Sequence, residues 1–162
     1  MKRIKQRNQF ECGLATLAMV LDIKIEEAEK LLPFKCYDQV PEADDGFFFA
    51  VTHDDHAPIL IRQGLIPVTV WTKEYLIERT TDPNWIKRYQ HGVNLSAQEV
   101  KSFCAGHRAI LTVRGGWAAG LAHSVAWDGF VVHDPFPPAP DARCWDEYEV
   151  LIATVIFAAD QI

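Results

Sequence analysis

The sequence lacks the marks of a membrane-spanning, nucleic-acid-binding or disulfide-stapled protein. No run approaches the roughly 18 consecutive apolar residues that a membrane span needs. The basic start, MKRIKQR, is not followed by the apolar core of a signal peptide, because Asn8, Gln9 and Glu11 interrupt it. Positive charge is short: 16 Lys and Arg against 22 Asp and Glu give a formal net charge of −6, which argues against a nucleic acid or an anionic membrane as partner. Cys12, Cys36, Cys104 and Cys144 are widely spaced and form no CxxC pair. Without an export signal they read as reduced thiols, so the expected setting is cytoplasmic. Internal repeats and low-complexity tracts are absent. The glycine-rich RGGWAAG at 114–120 is followed by no GxGxxG, GKS or GKT, which removes phosphate binding. What remains is an ordinary globular composition, 49% hydrophobic and 23% charged, sized for one domain over 1–162 with a core of its own.

Apolar residues that are present fall into clear periods. Leu14, Leu17, Ala18 and Leu21 recur at helical spacing behind Cys12, and Ala15, Met19 and Val20 fill the other faces. This predicts a helix buried nearly all round. IKIEEAEKLLPF predicts a second, amphipathic helix with acids early and Pro33 as its stop. A turn-rich loop then leads to a short helix over 57–64. LIPVTVW reads as a strand, and TTDPNWIKRYQHG as a polar insertion. Ser96 with Glu99 forms a capping box before a helix ending at Gly106. RAILTVR, HSVAW, FVVHD and YEVLIATVIFAA are rich in β-branched and aromatic residues. Helices early and strands late predict an α+β domain with an antiparallel sheet.

AHSVAWDGFVVHDP is the most informative segment. Asp128-Gly129 between two β-type runs predicts a two-residue hairpin loop. That loop would oppose Trp127 to Phe130, Ser124 to His133 and His123 to Asp134. Opposed side chains share a face, with Cβ atoms about 4.5–5.5 Å apart, so the imidazole and the carboxylate could hydrogen-bond. The carboxylate would then fix the ring's tautomer and favour imidazolium. His133 lies on the other face. Taken alone, a cross-strand His–Asp pair is also an ordinary feature of a solvated sheet.

Cys12 sits where the first helix begins. There the positive end of the helix dipole favours thiolate, and a nearby imidazole would make the sulfur a nucleophile for acyl transfer. Taken alone, a small buried hydrophobe is the competing reading. Cys36 in a loop, Cys104 within a helix and Cys144 after a proline-rich turn lack this context and read as structural.

QRNQFECG followed by an Ala/Leu/Met-rich helix, together with the later AHSVAWDGFVVHDP, resembles papain-like cysteine peptidases. The nearest branch is the one that removes double-glycine leader peptides from bacteriocin precursors. The two motifs occupy opposite ends of the chain in the order Cys, His, Asp, while the middle matches only in a general helical way. The resemblance implies a papain-like fold with N-terminal helices packed on an antiparallel sheet. It implies Cys12 as nucleophile, His123 as general base and then acid, and Asp134 as the residue orienting His123. It also implies that the Gln6 side chain serves the oxyanion hole beside the Cys12 backbone N–H. An amide suits that task because it donates without altering the cysteine's charge. Gln9 competes for the role, and the family spacing favours Gln6. The interval from His123 to Asp134 is shorter than usual in that branch, and no exporter segment follows.

The expected activity is therefore hydrolysis of an amide bond in a peptide or protein substrate, with no cofactor or metal required. Acyl transfer or deamidation by the same residues is an alternative, as is a non-catalytic binding protein on the same fold. His53, Asp54, Asp55 and His56 form no recognised ligand pattern and read as a solvated loop capping the next helix. Trp117 and Trp127 could line a substrate groove, or simply pack.

Overall fold

The computed structural model describes residues 1–34, 51, 53–73, 75, 95–115 and 122–158. The readings on Cys36, on the 80–92 insertion and on Trp117 lie outside these residues. The apolar segment behind Cys12 forms α1 (Cys12–Leu21), and every residue from Gly13 to Val20 is buried, as its all-round apolar character predicts. It stops where Asp22 turns to a φ of 58° and the Asp22 and Ile23 N–H groups return to the Met19 and Ala18 carbonyls. The second helix, α2 (Ile25–Glu29), is shorter than its amphipathic pattern predicts. Pro33 disfavours helical backbone at Leu32, and the last turns tighten, with the Leu31 and Leu32 N–H groups reaching back only to the Ala28 and Glu29 carbonyls.

Next comes α3 (His53–Arg62), which begins earlier than expected, with Asp54 and Asp55 in its first turn and Arg62 in its last, complementing the dipole. It leads into β1 (Leu65–Trp71). The Ser96 capping box starts α4 (Ala97–Cys104): Ser96 Oγ accepts the Glu99 N–H at 3.3 Å and Glu99 Oε2 accepts the Ser96 N–H at 2.8 Å. Then follow β2 (Arg108–Arg114), β3 (Ala122–Trp127), β4 (Val132–His133), a 3₁₀ turn (Trp145–Glu147) and β5 (Val150–Ala158).

The strands lie in the order β1-β5-β2-β3-β4, and all four neighbouring pairs are antiparallel. Alternation along the strands serves two cores. Ile110, Ala126 and Ile156 join α1, α2 and α3 on one face. Leu111, Val125 and Val155 join α4 and Trp145 on the other. The sheet is thus covered by helices on both sides. Among the described residues no helix is long and apolar enough to cross a membrane.

The β3–β4 turn differs from the expected one. Ala126 pairs with His133 and Trp127 with Val132, so the loop residues are Gly129 and Phe130 rather than Asp128 and Gly129. The Asp128 side chain explains the shift. Its Oδ1 accepts the Phe130 and Val131 N–H groups at 3.0 and 2.9 Å, and its Oδ2 meets His133 Nε2 at 2.7 Å. Gly129 also packs directly on Gly106 at a φ of 104°, where a Cβ would lie 3.0 Å from a backbone carbon. Each residue's partner moves by two positions, so the faces are kept while direct opposition is lost.

Candidate active site

Cys12 occupies the first position of α1, and the N-cap residue Glu11 makes no side-chain cap to the helix. Its carboxylate is drawn away to Arg7, accepting the Arg7 N–H at 3.0 Å and the guanidinium at 2.6 Å. The Glu11 side chain therefore leaves the first turn uncapped beside the sulfur. One turn on, the buried Thr16 hydroxyl donates to the Ser124 carbonyl at 3.1 Å, which ties α1 to β3 next to His123.

His123 is 8% exposed, and its Nε2 donates to Asp134 Oδ1 at 2.8 Å. The other ring nitrogen, Nδ1, is not used by Asp134, and the ring and the Cys12 thiol shift each other's ionisation. Burial pushes the Cys12 thiol up. Hydrogen bonding to His123, its charge, and the backbone N–H groups of Ser124 and Gly13 outweigh that, leaving the thiol below its ordinary value. Burial alone would lower His123, but Asp134 and then Cys12 raise it to about 9. Asp134 is pushed up by burial and held below the usual carboxylate range by His123, the Phe136 N–H and the Tyr148 hydroxyl. These opposing directions favour a thiolate beside an imidazolium, with the Asp134 carboxylate bonded to the far side of the ring.

Gln6 is 6% exposed and lies on the segment that runs beside Asp134, its backbone N–H donating to the Pro135 carbonyl at 2.9 Å. One amide hydrogen of Nε2 goes to the Asn8 carbonyl at 2.8 Å, and the second has no partner among the described residues. Oε1 has no partner among the described residues. Arg3 sets this segment in place, with Nε on the Asp134 carbonyl at 2.6 Å and Nη2 on the Phe136 carbonyl.

Other candidate residues fall elsewhere. Trp127 shares the His123 face but packs rather than lining a groove: its Nε1 donates to the Cys104 carbonyl at 3.0 Å and its ring meets Trp145 edge-on at 5.1 Å. Cys104 is buried, and that burial pushes its thiol up to about 12. His56 is not in a solvated loop. It is fully buried in α3, with Nε2 3.2 Å from the Gly13 carbonyl. Arg3, Gly13 and Tyr148 escaped the sequence reading. The glycine after the cysteine was a readable signal, but the other two acquire their roles only through long-range contacts.

The helix-borne cysteine and the strand-borne histidine on an antiparallel sheet define a papain-like α+β fold. Among solved structures, the chain is similar to a double glycine motif protease from an AMS/PCAT transporter, solved in complex with the leader peptide. The TM-score is 0.55 at 16% identity, over 95% of this chain and 89% of that one. The chain therefore has the double-glycine peptidase fold. No protein-family model matches the sequence, and no curated protein matches it either.

Proposed function

We propose that this chain, acting as a single domain, is a cysteine peptidase that hydrolyses a peptide bond through Cys12, His123 and Asp134, with Gln6 completing the oxyanion hole. The supporting observation is the His123 ring, bonded to Asp134 through Nε2 and coupled through its other side to a thiol held below its ordinary pKa. The Cys12 thiolate attacks the carbonyl carbon. The oxyanion that forms takes hydrogen bonds from the free Gln6 amide hydrogen and the Cys12 backbone N–H, donors that need no rearrangement as charge develops. The imidazolium gives its proton to the departing amine, leaving a thioester. Water then attacks the thioester as His123 takes its proton, and the second tetrahedral intermediate expels the Cys12 thiolate, releasing the carboxylic acid and restoring the thiolate and imidazolium. Every step uses groups of this chain and water.

The leader peptide bound to the structurally similar protease supports a peptide substrate, and the family resemblance of the sequence implies small residues before the scissile bond. Cys12, Cys104 and Cys144 are free thiols, which supports work in a reducing compartment such as the cytoplasm. The test is incubation of the purified chain with peptides containing an internal Gly-Gly, read by mass spectrometry, beside the Cys12→Ala variant. Cleavage after the glycines by the wild type alone is expected. An uncleaved panel, with Cys12 no more reactive than in the unfolded chain, would overturn the reading. A product joined to an added amine would redirect it to acyl transfer.

A further inference from the structure

We propose that Tyr148 is a positioning residue of this site, holding the Asp134 carboxylate in the plane that keeps His123 turned toward Cys12. The inference rests on the peptidase reading. Asp134 Oδ1 accepts from His123 Nε2 at 2.8 Å and from the Phe136 N–H at 2.9 Å, whereas Oδ2 accepts from the Tyr148 hydroxyl at 2.8 Å. The terminal torsion of an aspartate is broad and roughly two-fold, so contacts at one oxygen alone do not fix its plane. A donor on the second oxygen does.

Tyr148 is itself anchored. It closes the 3₁₀ turn with its N–H on the Trp145 carbonyl at 3.0 Å, just before β5. The Arg143 guanidinium lies 5.8 Å from the centre of its ring. Burial, and then the neighbouring Asp134 charge, raise the phenol well above its ordinary value, so it remains a donor wherever the thiolate–imidazolium pair exists. The charged groups acting on it are Asp134 and Arg143. Hydroxyl, carboxylate, imidazole and thiol thus form one chain of contacts, entered from a residue far from Cys12 in sequence.

Tyr148→Phe removes only the hydroxyl and keeps the ring packing. The readout is the rate of Cys12 alkylation by iodoacetamide against pH, which needs no substrate. With the carboxylate freed to rotate, the alkaline limb set by His123 is expected to move down by roughly half to one pH unit. Asp134→Asn should move it further, and adding Tyr148→Phe to Asp134→Asn should change nothing more, because the hydroxyl acts through the carboxylate. A single-variant profile that is unchanged or shifted upward would overturn the proposal, as would an additive effect in the double variant. If Tyr148→Phe fails to fold, Arg143→Gln supplies the test by loosening the ring while keeping the hydroxyl: a smaller downward shift supports the proposal and none overturns it. A wild-type profile resembling a free thiol would instead defeat the peptidase reading, which separates the two failures.

Discussion

The Thr16 hydroxyl donates to the Ser124 carbonyl at 3.1 Å in a fully buried setting, one helical turn beyond Cys12 and one residue beyond His123. This bond fixes the helix that carries the sulfur against the strand that carries the ring. Thr16→Val keeps the shape and deletes the donor, at an expected cost of about 1–2 kcal/mol in denaturant unfolding. The same variant is expected to slow Cys12 alkylation at neutral pH, because the two partners lose their common reference point. Lost stability with an unaltered alkylation rate would show that Thr16 serves packing only.

Opposing shifts set the pH window of the site. Cys12 ionises below its ordinary value and His123 holds its proton up to about 9, so alkylation should rise on the acidic side, level off, and change again near that value. His123→Ala removes both the hydrogen bond and the positive charge while burial remains. The thiol should then titrate above its ordinary value, and each unit of upward shift removes about nine-tenths of the thiolate at neutral pH. A variant that alkylates as fast as wild type at neutral pH would contradict the coupling.

Stability should follow the same groups with a defined sign. His123 moves from 6.5 to about 9 on folding, so its stabilising contribution is complete below about 6.5 and fades as pH rises through about 9. Asp134 moves down from 3.8, so its contribution is present above about 3.8 and fades as pH falls through the folded value. Denaturant unfolding of wild type and Asp134→Asn should therefore differ most between these limits and draw closer above about 9, where the share carried by the imidazolium is lost. Curves that stay equally separated at high pH would exclude this linkage.

Local patterns made much of this architecture readable. α1 is apolar on every side and lies buried as expected, α4 starts at its capping box, and the β-branched runs became β1, β2, β3 and β5. The hairpin failed by one residue for a local reason of another kind. Asp-Gly favours a tight turn through its backbone, but the Asp128 carboxylate captured the Phe130 and Val131 N–H groups and displaced the loop. His123 and Asp134 therefore meet as diagonal neighbours rather than opposed residues, and the bond survives because a shift of two preserves the face. Arg3 reaches Asp134 from 131 residues away and Tyr148 from 14 residues further along the chain. No periodicity or turn rule encodes such contacts, which exist only after the sheet has formed.

Gly13 is required by a close approach. A Cβ built there would lie 2.2 Å from the Val51 carbonyl oxygen, a backbone atom that cannot swing aside. Alanine gains about 0.5–1 kcal/mol over glycine in a helix interior. Overpacking against backbone costs about 1–3 kcal/mol, so Gly13→Ala is expected to be destabilising on balance. It should also disturb Cys12, the preceding residue, and reduce its alkylation rate. A thermal midpoint equal to or above wild type would show that the Val51 segment yields freely.

Arg3 and Asp141 form an ion pair of 3.2 Å whose two ends have very different consequences. The Arg3 side chain is 6% exposed and the Asp141 side chain 92%. The pair itself is screened, so Asp141→Ala should cost well under about 1 kcal/mol. Arg3→Ala instead strips charge-assisted donors from the Asp134 and Phe136 carbonyls, and an expected cost of about 1.5–3 kcal/mol follows. Lysine cannot reproduce the fork that spans both carbonyls, so Arg3→Lys should recover only part of that loss. The consequence should reach chemistry too, because the strip that Arg3 grips carries the Asp134 carboxylate bonded to His123 and binds Gln6 through the Pro135 carbonyl. Arg3→Ala is therefore expected to slow Cys12 alkylation under conditions where it remains folded, while Asp141→Ala does not. Equal effects of the two substitutions would mean that the exposed ion pair, rather than the carbonyl contacts, holds the strip in place.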